Sequence, residues 1–188
     1  PVFSSLNTHK TTKDWNTSKD AIDDLSKNRY VKSRYSNLLD KELIETSGAV
    51  KPNNYESLMN HKRRANGNRV RMRFRLYQII SKAPNTIARD VFAFLAKPEE
   101  HDLKPETCDF LLSKEYLSSD DKDWQSFSKK VELIRYLKQL ATKKQTQRAL
   151  NPNEPAPAAL SIPDDACHYH ESVNTQRTLT VREMARIQ

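Results

Sequence analysis

Apolar positions recur at helical spacing along most of the chain, interrupted by prolines and short polar clusters. Ser18 stands where it can cap a helix running from Lys19 through Leu25. Residues 36 to 46 predict a second helix, and Gly48 to Asn54, around Pro52, a loop. Arg69-Val70-Arg71-Met72-Arg73-Phe74-Arg75-Leu76 alternates strictly, which is the strand period. The run continues through Tyr77-Gln78-Ile79-Ile80 without Gly or Pro, and Met72, Leu76, Ile79 and Ile80 share a helical face. Arg, Met and Leu are good helix formers, so helix is the expectation there. Beyond Pro84 the spacing predicts helices over 87 to 96, over 105 to 116 and, most strongly, over 121 to 144. In the last, Trp124, Phe127, Val131, Leu133, Ile134, Tyr136, Leu137, Leu140 and Ala141 recur near helical spacing. Ser119-Asp120-Asp121 provides capping and acids at its start, and Lys138, Lys143 and Lys144 sit near its end, as the helix dipole favours. Pro152, Pro155, Pro157 and Pro163 then forbid a helix and favour an extended path. A final helix begins with Thr180 and Glu183 at capping-box spacing, with Leu179 and Met184 as a hydrophobic staple and Met184 and Ile187 on one face. The expected fold is mainly α, with a small irregular or short-stranded region near residues 150 to 178.

Composition narrows the function. The hydrophobic fraction is 36% and the charged fraction 30% of 188 residues, which implies a modest core under a well-solvated surface. No apolar run approaches the ~20 residues of a membrane span. Pro1-Val2-Phe3-Ser4-Ser5 lacks a signal-peptide pattern, so a cytoplasmic, nucleoid-associated protein without a membrane partner is expected. Two cysteines, Cys108 and Cys167, make no disulfide framework. Two glycines in the whole chain argue against a glycine-rich phosphate or dinucleotide loop.

The formal net charge is +8, and its placement is uneven. Of 32 Lys and Arg and 24 Asp and Glu, nine bases and one acid fall between 61 and 90, which leaves 23 of each elsewhere. Such a local field suits a polyanion, because neutralising phosphates releases counterions. Lys62, Arg63, Arg64, Arg69, Arg71, Arg73 and Arg75 are therefore the candidate DNA-binding residues; the plainer reading is a solvated helix face. Cys167-His168-Tyr169-His170 offers Cys and His, but no second ligand pair at zinc spacing accompanies it, and no metal is expected.

The segment Arg177-Thr178-Leu179-Thr180-Val181-Arg182-Glu183-Met184-Ala185-Arg186-Ile187-Gln188 resembles the late R-x-L-T-x-R-E-x-A-R-hydrophobic-Q motif of cytosine-5 DNA methyltransferases. Weaker matches precede it in the family's order. Thr17, Asp20, Ala21, Ile22, Asp24 and Leu25 follow a Thr-Val-x-Asp-Ala-Ile-x-Asp-Leu-Pro pattern, with Ser26 in place of proline. Asn60-His61 and Arg64 follow Asn-His-x-x-Arg. Leu150, Pro152, Glu154, Pro155 and Pro157 follow the proline-rich segment, with Ala158 where threonine is usual.

The resemblance implies a target-recognition region, with Arg177, Leu179, Thr180, Arg182, Glu183, Ala185, Arg186 and Gln188 as scaffold and not as catalytic residues. It divides the chain into family-like linker helices over 1 to 60, a basic helix and helical specificity insertion over 61 to 148, and a proline-rich segment with the late-motif helix over 149 to 188. It implies double-stranded DNA as a partner and S-adenosylmethionine as the cofactor of an intact enzyme, in a restriction-modification setting. Neither cysteine lies in Pro-Cys-Gln, and Glu-Asn-Val and Phe-x-Gly-x-Gly are absent. The chain is thus expected to bind no cofactor and to be inactive alone. Its partner would be a catalytic domain, on the same polypeptide or on a split subunit, with the sequence given stopping inside the late motif. The alternatives are a stand-alone helical nucleic-acid-binding module and a helical protein-interaction domain.

Overall fold

A computed structural model describes residues 17–23, 25, 61–120, 122–144, 147–156, 166–171 and 176–187. The helix expected over 36 to 46, the loop over 48 to 54, the lead-in before Thr17 and Gln188 lie outside the described residues. Those described are mainly helical and fall into two compact units. The first gathers 17–23, Leu25, 61–62, 151–156 and 181–187; the second holds 63–120, 122–144, 147–150, 166–171 and 176–180.

The first unit is built from distant pieces of chain. Helix α1, Ser18–Ile22, opens with a reciprocal capping box: Thr17 Oγ1 accepts from the Asp20 amide at 3.2 Å, and Asp20 accepts from the Thr17 amide at 2.9 Å. The cap is therefore Thr17 and not Ser18, because Ser18 has already turned helical and its hydroxyl donates to the Glu154 carbonyl at 3.0 Å. Helix α6, Val181–Ile187, packs against α1. Its inner face differs from the expected one. Glu183 and Arg186 are buried, whereas Met184 and Ile187 are half-buried. The cause is polar: the Arg186 guanidinium donates to the Ala21 carbonyl at 3.3 Å, satisfying a backbone acceptor in the last turns of α1.

The second unit is organised by α2, Asn68–Ile80. The alternation of its first half does not make a strand. From Phe74 to Ile80 every residue is buried, and a helix meets its own backbone hydrogen bonds there without a neighbouring strand. Helix α3, Asn85–Ala96, begins directly after Pro84; α4, Pro105–Leu112, carries proline at its first position, where the missing N–H costs nothing. The expected continuation of α4 to Tyr116 fails. Tyr116 instead enters a two-residue strand, β1 (Tyr116–Leu117), paired antiparallel with β2 (Trp124–Gln125).

The long helix expected over 121 to 144 is likewise divided into β2 and α5, Lys130–Gln139. Local hydrogen bonding explains the break. Ser118 bonds Asp120 through its side chain, accepts from the Asp123 amide at 3.2 Å and donates its own amide to the Asp123 carbonyl at 2.9 Å. Such side-chain bonds favour a turn over a helix. Trp124 and Phe127 keep helical spacing in sequence but serve a different packing. Phe127 joins Tyr116 and Tyr136 in a ring cluster with centroids 5.1 to 5.5 Å apart.

Near the proline-rich segment, β3 (Arg148–Ala149) runs parallel to β4 (Ala166–Cys167), and Cys167 bridges antiparallel to Thr178. This is the short-stranded region expected there. The core of the unit runs from Met72, Phe74, Leu76 and Tyr77 on α2 through Val91 and Phe94 to Leu111, Tyr116, Leu133 and Leu137.

Candidate nucleic-acid interface

The seven basic residues singled out by charge do not share one surface. Lys62, Arg63, Arg64 and Arg69 are exposed, and Arg71 is half-buried. The Arg73 Nε donates to the Leu140 carbonyl at 3.1 Å, and Arg73 and Arg69 both reach the Ala141 carbonyl at 3.4 Å. These carbonyls lie at the C-terminal end of α5, where a cation complements the helix dipole. Arg75 turns fully inward, 8% exposed. Its Nε donates to the Glu115 carbonyl and its Nη1 to Glu171, each at 2.8 Å, and its guanidinium lies 4.6 Å from the Trp124 ring centre. Glu171 also pairs with Lys82, and these two cations hold its carboxyl below the ordinary value against the opposing effect of burial. Of the seven, Arg75 is buried, Arg71 and Arg73 are half-buried, and Lys62, Arg63, Arg64 and Arg69 are exposed.

The late-motif residues are largely enclosed. Arg177, Leu179, Thr180, Glu183 and Arg186 are buried, Arg182 is half-buried and Ala185 is exposed. Arg177 donates from Nη1 to the Thr178 carbonyl at 3.0 Å. Parts of the segments that carry the family-like patterns meet in the first unit, whereas Arg64, Leu150 and Arg177 to Thr180 belong to the second. The Ser18 amide donates to the Glu154 carbonyl at 2.8 Å, and the Lys19 amide to Pro152 at 3.2 Å. The His61 ring donates from Nε2 to the Leu25 carbonyl at 2.9 Å, and α6 closes on α1 through Arg186.

Several residues with structural consequence were not singled out by sequence. Gln78, buried in α2, donates from Nε2 to the His168 and His170 carbonyls at 2.8 and 2.7 Å. It thereby ties the helix to the strand-like segment after β4. A lone amide inside the apolar run Leu76 to Ile80 was the available signal. The Asp90 carboxylate, also buried, accepts from the His101 Nε2 at 2.8 Å and the Lys104 amide at 3.0 Å. The Thr107 hydroxyl also approaches it, short of good hydrogen-bond geometry.

Both cysteines are buried, and burial pushes both thiols up from their ordinary range. Cys167 donates weakly to the Phe74 carbonyl at 3.8 Å. A nucleophilic cysteine needs the opposite shift. Among the described residues, no cluster of three or more His, Cys, Asp or Glu side chains is placed to hold a metal, and no helix is long and apolar enough to cross a membrane. Two open clefts of about 400 and 340 Å³ share Ser119 and Gln139 as lining. Comparisons with protein-family models, with curated proteins and with solved structures return no match for this chain.

Proposed function

We propose that this chain is the DNA target-recognition part of a cytosine-5 DNA methyltransferase, acting with a catalytic domain whose motifs its sequence does not carry. One observation carries the reading. Parts of four family-like segments, up to 165 residues apart, converge in one compact unit through named backbone and side-chain hydrogen bonds made by Ser18, Lys19, His61 and Arg186. Chance resemblances scattered along a chain have no reason to assemble. The buried Arg186 and Glu183 add to this, because charged groups are rarely enclosed without a packing requirement. In this reading Lys62, Arg63, Arg64, Arg69 and Arg71 meet the phosphates of double-stranded DNA. S-adenosylmethionine belongs to the catalytic partner, and the setting is cytoplasmic and nucleoid-associated.

The test is fluorescence anisotropy of the full chain with a random-sequence duplex across a salt series. Binding should weaken with a log–log slope of about −0.9 for each phosphate neutralised. The triple variant Lys62→Ala, Arg63→Ala, Arg64→Ala should flatten that slope by about 3. Absence of duplex binding at low salt would reject DNA recognition by this chain.

A further inference from the structure

A second basic surface lies on α5, and the charge balance of the sequence conceals it. Between 129 and 144 stand six bases and one acid, while 99 to 123 carries nine acids and three bases. The two stretches nearly cancel in any count over the whole chain. In the fold Lys129, Lys130, Arg135, Lys138, Lys143 and Lys144 are all exposed. Lys138 shares its charge with Glu99 at 2.8 Å. Within this basic frame, Val131, Arg135 and Gln139 recur at every fourth residue, and all three are exposed, Val131 at 68%. They form one stripe along α5. Beside it runs the cleft of about 340 Å³ lined by Gln125, Ser126, Phe127, Glu132, Arg135 and Gln139 among others.

The chemistry of this stripe fits base edges better than phosphates. Arginine pairs bidentately with guanine O6 and N7, glutamine with adenine N6 and N7, and a valine methyl meets the thymine methyl. Glu132, the one acid of the stretch, can accept from a cytosine amino group, a role a phosphate-binding surface would not give it. From Val131 to Gln139 the helix rises about 12 Å, the span of three to four base pairs, and an α-helix fits the width of the major groove. Arg73 and Arg69 secure the C-terminal end of this helix through the Leu140 and Ala141 carbonyls, as a reading element requires of its support.

We propose that α5 enters the major groove of DNA and reads bases through Val131, Arg135 and Gln139, with the surrounding lysines on phosphates. This rests on the DNA-recognition reading above and identifies its specificity-determining residues. The experiment is selection of bound sequences from a random duplex pool by the full chain and by Arg135→Lys, Arg135→Ala and Gln139→Ala. All three changes are on exposed side chains, and thermal melting verifies that each variant is folded.

Arg135→Lys should keep overall binding and lose a guanine preference at one position. Gln139→Ala should lose an adenine preference at a nearby position with an unchanged salt slope. Each should weaken the selected site by about 10- to 100-fold. Recovery of the unaltered motif by all three variants would overturn the role of α5 and leave DNA recognition standing. Failure of the unaltered chain to retain any duplex would overturn both.

Discussion

Arg75 separates a structural arginine from a DNA-binding one, and Arg75→Ala makes the separation measurable. The substitution removes two charge-assisted hydrogen bonds and a cation–π contact. Such a bond contributes about 1.5 to 3 kcal/mol when sheltered. The one to the Glu115 carbonyl merits that range, because Arg75 is 8% exposed. The one to Glu171 needs a discount to about 0.5 to 1 kcal/mol, because that carboxylate is 35% exposed and retains Lys82. The Trp124 contact adds about 0.5 to 1 kcal/mol at a half-buried ring. The total is about 2.5 to 5 kcal/mol, which lowers the melting temperature by roughly 5 to 20 °C for a chain of this size.

Arg75→Lys should recover less than half of that loss, since an ammonium cannot serve the carbonyl, the carboxylate and the ring together. Thermal unfolding by circular dichroism gives the stability, and the salt dependence of duplex binding gives the phosphate count. If Arg75→Ala melted like the unaltered chain and instead flattened the salt slope by about one phosphate, Arg75 would be a DNA ligand and its assignment to the interior would be wrong.

Acid titration tests Asp90. Burial pushes its carboxyl up, but hydrogen bonds, those from the His101 ring and the Lys104 amide among them, outweigh it and hold the carboxyl below its ordinary 3.8. A lowered folded value means stability present above the unfolded pKa and lost as pH falls through the folded one. The urea midpoint should therefore drop as pH falls below about 4, and Asp90→Asn should be less stable at pH 6 with a shallower acid decline; equal declines would refute it. Cys108 and Cys167 should both resist a thiol reagent in the native chain and react in denaturant, since both are buried and their thiols held protonated. Rapid native labelling of either would contradict that enclosure.

Helical spacing was enough to locate α2 and α3 to within a turn and the start of α4, because each buries apolar residues on a helical pattern. The same spacing misled at Trp124 and Phe127, where Ser118, Asp120 and Asp123 make a turn that outcompetes helix over a few residues. Charge located a basic region but not its orientation. Whether Arg75 faces solvent or Glu171 depends on a residue 96 positions away, which no local pattern encodes. Pairing of Arg148 with Ala166 and the bridging amide of Gln78 are long-range in the same sense. The order of family-like motifs was legible; their meeting in space was not. The basic surface of α5 escaped notice because neighbouring acids cancelled it in the total.

The docking of α6 on α1 also has a consequence in time. Ala21 and Arg186, which bond across the two helices, are separated by 165 residues. At about 5 to 20 residues per second, a ribosome takes roughly 8 to 33 s to pass from one to the other. The second unit waits as well, since Arg148 and Ala149 find their strand partners only at Ala166 and Cys167. During synthesis, Ala21 emerges long before Arg186, which bonds its carbonyl. Neither unit can therefore complete these contacts until most of the chain has been made.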